Sequence, residues 1–227
     1  ELGAKFKLTS FLDVKLLGTI SEAKITNNSK LCYMESTSAT LHGTGQKGEN
    51  YDYVHNKGMR DSGTPLTALS LGVSYHQKGW FIDLNCNYYD RIYLSYSPSY
   101  RYEKVLTNRQ AAYKAFPEIF APTTLDGMSW TEDAVAQEKG HGGWMVDLSI
   151  GKSVRLKKGS LNFNLMITNL LNNQTIVTGG YEQNSRSSYT LDANGNVKNP
   201  RLYQFSKNPK KYYTWGTNGM FQVSYRF

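Results

Sequence analysis

Apolar residues fall at every second position in stretch after stretch of this chain, and the stretches come in pairs. Trp144, Val146, Leu148 and Ile150 lie on one side of such a stretch, with Asp147, Ser149 and Gly151 on the other. Lys157-Lys158-Gly159 reverses the chain, and Leu161, Phe163, Leu165 and Ile167 then alternate with Asn162, Asn164 and Thr168. Leu69, Leu71, Val73 and Tyr75, set against Ser70, Gly72 and Ser74, lead into the turn Gln77-Lys78-Gly79. Trp80, Ile82, Leu84, Cys86 and Tyr88 follow, set against Asp83, Asn85 and Asn87. Near the start, Leu2, Ala4, Phe6 and Leu8 alternate with Gly3, Lys5 and Lys7; then Leu12, Val14, Leu16 and Ile20 alternate with Asp13, Lys15 and Thr19. The chain closes on Phe221, Val223, Tyr225 and Phe227, with Gln222, Ser224 and Arg226 between them. A period of two over such lengths specifies β-strands. The pattern predicts about seven, near 2–8, 12–26, 64–77, 80–97, 141–157, 160–173 and 214–227.

One face of each strand is apolar; the other carries Asp, Asn, Ser and Lys, which implies water. Mean hydropathy is -0.54, and no run approaches the roughly 20 apolar residues of a membrane helix. That excludes a helical span but not a barrel, whose strands hide apolar residues at alternate positions. A half-buried strand of a soluble sheet alternates in the same way, so the connections must decide. At one end they are short: Thr9-Ser10-Phe11, Gln77-Lys78-Gly79 and Lys157-Lys158-Gly159. At the other they are long, near 27–63, 98–140 and 174–213. Short turns on one side and long loops on the other is the pattern of an outer-membrane barrel.

Aromatic residues agree. The chain holds 17 Tyr and 20 Gly but only 6 Pro. Phe6, Phe11, Tyr75, Trp80, Tyr225 and Phe227 sit at the short-turn level, and Tyr88, Tyr89, Tyr93, Trp144, Tyr213 and Trp215 at the opposite one. Two such belts suit rings that prefer the headgroup zone. The expectation is therefore an all-β, transmembrane antiparallel β-barrel. Closed single-chain bacterial barrels normally have an even strand count. Seven strands, and a start at Glu1 rather than Met, read as the C-terminal part of a larger barrel, spanning residues 1–227. On this reading Asp83, Asn85, Asn87, Asp147, Asn162 and Asn164 face the lumen or a plug within it.

No motif carries covalent chemistry, and no enzyme is expected. Gly43-Thr44-Gly45-Gln46-Lys47-Gly48 matches a nucleotide-binding pattern in letters, but it lacks the strand before and helix after that such a loop needs, and it reads as loop. His42, His55, His76 and His141 show no metal-ligand spacing. Asp192-Ala193-Asn194-Gly195-Asn196 lacks the remaining ligands of a calcium loop and reads as a turn with Asn-Gly at its tip. No order of residues nominates a Ser–His–Asp or Cys–His arrangement. No metal or cofactor is expected. Cys32 and Cys86 suggest no disulfide; Cys86 lies mid-strand on an apolar face. The formal net charge of +8 follows the turns rather than one helix or run, which argues against nucleic acid. The 174–213 segment is basic, with Arg186, Lys198, Arg201, Lys207, Lys210 and Lys211 against Glu182 and Asp192, and suits a solvated loop or anionic groups at a membrane surface. One loop helix is expected over 108–115, stopped by Pro117. Tyr51, Tyr53, Tyr100, Tyr102, Trp130 and Tyr181 are loop aromatics, able to pack the loops or to stack on a ligand; of these, Tyr51, Tyr53, Tyr100, Trp130 and Tyr181 are the candidate substrate contacts.

Several stretches resemble the C-terminal barrel of TonB-dependent outer-membrane receptors, in the starch-utilisation (SusC-like) branch or a relative. They are Asp147-Leu148-Ser149-Ile150-Gly151-Lys152-Ser153, Thr168-Asn169-Leu170-Leu171-Asn172-Asn173, Thr178-Gly179-Gly180-Tyr181-Glu182-Gln183, Lys210-Lys211-Tyr212-Tyr213, Gly216-Thr217-Asn218 and the final Tyr225-Arg226-Phe227. The likeness runs through most of 64–227. It implies a plugged barrel of roughly 22 strands, seated in the outer membrane of a Gram-negative bacterium and driven through TonB. It implies import of glycans, peptides, siderophores or cobalamin. The implied partners are the rest of the barrel and its plug, the TonB complex, a SusD-like surface lipoprotein lid, and outer-membrane lipid. Tyr225 and Phe227 would then form the barrel assembly signal. The alternative readings are a passive porin-like channel and a soluble β-sandwich serving as a glycan-binding or adhesin module.

Overall fold

A computed structural model describes every residue except 32, 36–39, 43–51, 116, 118–128, 183–187, 202–204 and 206–208. Cys32, Tyr51 and the Gly43-Thr44-Gly45-Gln46-Lys47-Gly48 segment lie outside the described residues. Seven long strands form one antiparallel sheet: β1 (Leu2–Lys7), β2 (Leu12–Ile20), β3 (Thr67–Gln77), β4 (Trp80–Asp90), β5 (Gly143–Leu156), β6 (Gly159–Thr168) and β7 (Asn218–Arg226). Each pairs with the next in sequence, so the sheet is a meander with β1 and β7 as its open edges. Among the described residues the remaining strands form only two-stranded sheets, all within the long connections. The second large sheet of a sandwich is therefore missing from the described residues.

Residues paired across strands share a face, so the register sorts the side chains. One row runs Tyr75, Ile82, Ile150, Leu165, Phe221, and the next runs Val73, Leu84, Leu148, Ile167, Gly219. Apart from Thr67 and Gln77 at the two ends of β3, the uncharged residues of this face are apolar across all seven strands. Its only charged members are Asp90, where β4 ends, and Lys152, near the short turns. Leu16, Leu69, Leu84, Trp144, Leu165, Phe221 and Val223 of this face are exposed. The opposite face holds Asp13, Lys15, Ser70, Ser74, Asp83, Asn85, Asn87, Asp147, Ser149, Asn162, Asn164, Gln222 and Ser224, interrupted by Leu17, Phe81, Met145, Met166 and Met220.

Short turns tie one end. Gly79 has φ +76, and a Cβ there would sit 2.5 Å from the Ser153 carbonyl oxygen, so the turn before β4 demands glycine. The Tyr225 hydroxyl donates to the Lys158 carbonyl, fastening β7 to the turn between β5 and β6. Rings meet at both levels: Phe11 and Tyr75 edge-on at 5.7 Å by the short turns, Tyr88 and Trp144 at 4.9 Å toward the long connections.

The strands stop earlier than the alternation does. β2 ends at Ile20 rather than near 26, β4 at Asp90 rather than near 97, and β6 at Thr168 rather than near 173. Arg91 and Asn169, the residues just beyond β4 and β6, have φ of 53° and 51°. This left-handed conformation cannot continue a strand. Ile92–Tyr93 still alternates but pairs with Lys139–Gly140 inside the second long connection.

Those connections are folded. The first contains Ser29–Leu31 paired with Asp52–Val54, and Tyr33–Glu35 paired with Thr40–His42. The second has a 3₁₀ turn, Pro98–Arg101, then helices α1 (Glu103–Ala115) and α2 (Trp130–Ala134). The third has Val177–Glu182 paired with Pro209–Tyr213, and Ser188–Leu191 paired with Val197–Arg201. Among the described residues the buried apolar side chains are Val54, Met59, Leu66, Ile92, Leu94, Ala134, Ile176, Val177 and Phe205, and none belongs to the seven strands. The core of the chain lies among the long connections, which together make a cap at one end of the sheet.

Candidate functional site

Polar groups converge in two places: the polar face of the sheet, and the cap above it. On the sheet, Ser74, Asp83 and Ser149 share one row, Gly72, Asn85 and Asp147 the next, and Ser70, Asn87 and Met145 a third. Gly151, Asn164 and Gln222 form another row, and Ser153, Asn162 and Ser224 a further one. All six polar positions singled out on β4, β5 and β6 thus lie on one face. Cross-strand bonds link some of them. Ser70 Oγ donates to Asn87 Oδ1 at 2.7 Å, Asn87 Nδ2 donates to Asp147 Oδ2 at 3.4 Å, and Ser149 Oγ donates to Asn164 Oδ1 at 3.2 Å. His76 Nε2 lies 4.0 Å from Asp83.

Asp147 joins this ladder to the cap, because its other oxygen accepts from the Asn169 backbone N–H at 2.9 Å. Asn169 and Asn172 both take left-handed φ angles of 51°, which asparagine tolerates better than most residues. The Asn169 side chain donates to the carbonyls of Asn173 (2.9 Å) and Trp215 (2.7 Å) and accepts from the Asn173 N–H (2.9 Å). Asn173 Nδ2 reaches the Trp144 carbonyl at 3.1 Å, and Asn172 Oδ1 accepts from the Thr217 N–H at 3.1 Å. Thr217 Oγ1 returns a bond to the Asn169 carbonyl at 2.8 Å. The Asn-Leu-Leu-Asn stretch is therefore a clamp binding the loop ends of β5, β6 and β7, with Leu170 and Leu171 exposed.

In the cap, Arg101 and Glu182 form a buried ion pair between the second and third connections, with the two side chains 0% and 2% exposed. Arg101 Nη1 donates to Glu182 Oε2 at 2.7 Å, Nη2 donates to Oε1, and Nε donates to the Ala134 carbonyl at 2.7 Å. Tyr96 and Phe205 present ring faces to the guanidinium at 5.1 and 4.3 Å. The second Glu182 oxygen also accepts the Ser97 N–H at 2.7 Å. A fork-to-fork pair whose Nε and Nη1 also reach the Ala134 and Ser97 carbonyls is the geometry in which a buried ion pair holds two segments in a fixed relation.

The first connection joins the same body. The His55 N–H donates to the Arg101 carbonyl at 2.8 Å, and Asn56 Nδ2 donates to the Tyr96 hydroxyl at 3.1 Å. Asp52 Oδ1 accepts the Glu103 N–H at 3.0 Å, serving as a cap for α1 from the first connection. That explains why α1 begins at Glu103, ahead of the expected 108. α2 opens on a capping box between Ser129 and Glu132. Glu22, beyond β2, accepts from Lys24 (2.8 Å), Arg60 (3.0 Å) and Arg91 (2.9 Å). Its carboxyl is held below the usual range, chiefly by the Lys24 hydrogen bond, with burial opposing it and Arg60 adding to the lowering.

The candidate contact aromatics are divided. Tyr53 lies in the Asp52–Val54 strand, half-buried, with Lys30 Nζ 5.7 Å from its ring centre, and Tyr100 is half-buried in the 3₁₀ turn. Trp130 opens α2. Tyr181 stands on the third connection, exposed, 6.0 Å from the Tyr212 ring and 5.9 Å from Lys210 Nζ. The Tyr212 hydroxyl titrates above its ordinary value, chiefly through its hydrogen bond with Tyr181. The Asp192 segment is a turn, as expected: Asp192 Oδ1 accepts the N–H groups of Asn194 (2.8 Å) and Asn196 (2.9 Å), and Gly195 has φ 82°. These bonds, the Asn196 N–H foremost, hold the Asp192 carboxyl below the usual range. Among the described residues no three His, Cys, Asp or Glu side chains gather as metal ligands. Arg101, Glu182 and Asn56 were not legible as a site, because most of their partners lie 27 to 85 residues away.

What the fold defines is a class: an all-β chain built on one antiparallel sheet with an exposed apolar face, a polar face and a folded cap. No family model, curated protein or solved structure matches the chain.

Proposed function

We propose that this chain is the C-terminal portion of a TonB-dependent outer-membrane receptor, supplying part of the barrel wall and three outer loops for nutrient import. The observation that carries the reading is the two-faced sheet. Its apolar face is exposed across seven strands, whereas a monomeric soluble protein rarely exposes so large a contiguous patch. Membrane hydrocarbon is the medium that suits such a face, and the short-turn and long-connection ends then correspond to the periplasmic and outer sides.

The polar face, with Asp83, Asn85, Asn87, Asp147, Asn162 and Asn164, would line the lumen. Leu17, Met166 and Met220 stand exposed among these polar groups. Apolar side chains on that face favour a lumen packed by a plug over the open aqueous channel of a passive porin. The rest of the barrel would pair with the edges at β1 and β7, and the cap would meet substrate and any surface lipoprotein. The substrate would be a glycan, peptide, siderophore or cobalamin. Movement would come from a plug pulled through TonB, so this chain would position and gate rather than make or break bonds.

Uptake of a growth-limiting substrate by cells carrying the whole receptor, with and without TonB, tests the reading. The expected result is uptake that disappears without TonB. Uptake that persists unchanged would indicate a passive channel.

A further inference from the structure

The apolar face carries one cation, and its surroundings are specific. Lys152 follows Trp144, Val146, Leu148 and Ile150 along β5 and precedes Val154 and Leu156, so it stands where the alternation calls for an apolar residue. It pairs across the sheet with Trp80 and Phe163. Its ammonium lies 4.8 Å from the Trp80 ring centre and donates to the Lys78 carbonyl at 2.9 Å. The aliphatic stem runs along the apolar face while the charge is held at the short-turn rim, the posture of a lysine at a hydrocarbon boundary. The same rim carries Lys78, Lys157 and Lys158 in its turns, while Arg155 and Arg226 lie on the opposite face of the sheet. Among the described residues, neither Lys152 nor any of these three turn lysines has a carboxylate within ion-pair distance. Several cations elsewhere are matched: Lys5 with Asp13, Arg91 with Glu22, Lys139 with Asp90 and Lys211 with Glu138.

We propose that the rim around Lys152 and Trp80 binds the phosphate headgroup of an anionic phospholipid in the leaflet on the short-turn side. This rests on the wall reading above. Unpaired positive charge beside an exposed indole and an apolar wall complements a ligand that is anionic at one end and hydrocarbon at the other. Acyl chains lie along Ile82, Ile150 and Leu165; the phosphate meets Lys152, with Lys78 beside it. A Trp at this level also suits the headgroup zone.

The test is native mass spectrometry of the whole receptor exchanged into mixed micelles of phosphatidylglycerol and phosphatidylcholine. The expected result is preferential retention of phosphatidylglycerol. Lys152→Gln lowers that preference about fivefold, the effect of one cation near the surface; Lys152→Arg keeps it. Arg155→Gln, a cation on the other face, leaves it unchanged. Equal retention of both lipids by the wild type overturns the proposal, as does a loss in Arg155→Gln matching that in Lys152→Gln. If inorganic phosphate abolishes the preference at matched concentration, the site takes a free anion and the lipid assignment falls. Retention of neither lipid would instead overturn the wall reading itself.

Discussion

The sheet and the cap are held together in opposite ways. In the sheet, backbone ladders and cross-strand pairs align seven strands, yet large apolar side chains such as Leu16, Trp144 and Phe221 remain exposed. In the cap, short strands and turns enclose Val54, Met59, Leu94, Ile176 and Phe205 around a buried Arg101–Glu182 pair. The cap meets the ordinary requirements of a water-soluble core. The sheet meets them only if something apolar covers one face. On the proposed reading one polypeptide obeys two solvents, and the boundary runs through Asp90, Arg91, Asn169 and Asn172, where the long strands end.

The contrast can be broken most sharply in the cap. Glu182→Ala leaves Arg101 buried without its carboxylate and should cost about 3–5 kcal/mol. Hydrogen exchange should rise in Tyr96, Ser97 and the Val177–Glu182 strand while β4 to β6 stay protected. Equal loss of protection in the long strands would show that cap and sheet are one cooperative unit. In the sheet, Leu148→Arg should cost about 2–4 kcal/mol if its face lies near the middle of a bilayer. Ser149→Arg, one residue along on the other face, should cost far less. Denaturant titrations of the two variants in vesicles check the difference.

At the boundary, Asn169→Ala removes three side-chain bonds and puts Ala at φ 51°. About 2.5–4 kcal/mol is expected, at roughly 0.5–1 kcal/mol for each of the three bonds plus about 1 kcal/mol of backbone cost. Thermal melts should show it, and Asn169→Gly should recover only the backbone share. The smallest effect is on pH. Glu22 has a carboxyl lowered by folding, so its contribution is present above the unfolded carboxylate value and is lost as pH falls through the folded one. The wild type should lose that contribution over this acidic interval and Glu22→Gln should not, read as the pH dependence of cap exchange rates.

The long strands were legible because a period of two is a local signal: residues 144–151 declare their faces without reference to anything distant. Strand ends were not. Alternation runs on through Ile92 and Tyr93, and only the left-handed Arg91, tied to Glu22 and the Leu66 carbonyl, turns the chain away. The start of α1 was hidden for the same reason, its cap Asp52 lying 51 residues upstream. The resemblance drew attention to Asn169-Leu170-Leu171-Asn172, but its role as a clamp on three strands needed the fold. The polar ladder could be assigned to a face from sequence; which of its members bond could not, because that depends on register between strands.

The central claim is that one face of the sheet meets hydrocarbon and the other does not. Nitroxide labels placed singly at positions 144 to 151 of the whole receptor in a bilayer, with its native cysteines replaced, test it directly. The account predicts that collision with dissolved oxygen peaks at 144, 146, 148 and 150, and that 148 and 150 exclude a water-soluble nickel chelate. Equal oxygen accessibility at even and odd positions, or nickel access at 148 and 150, would contradict it.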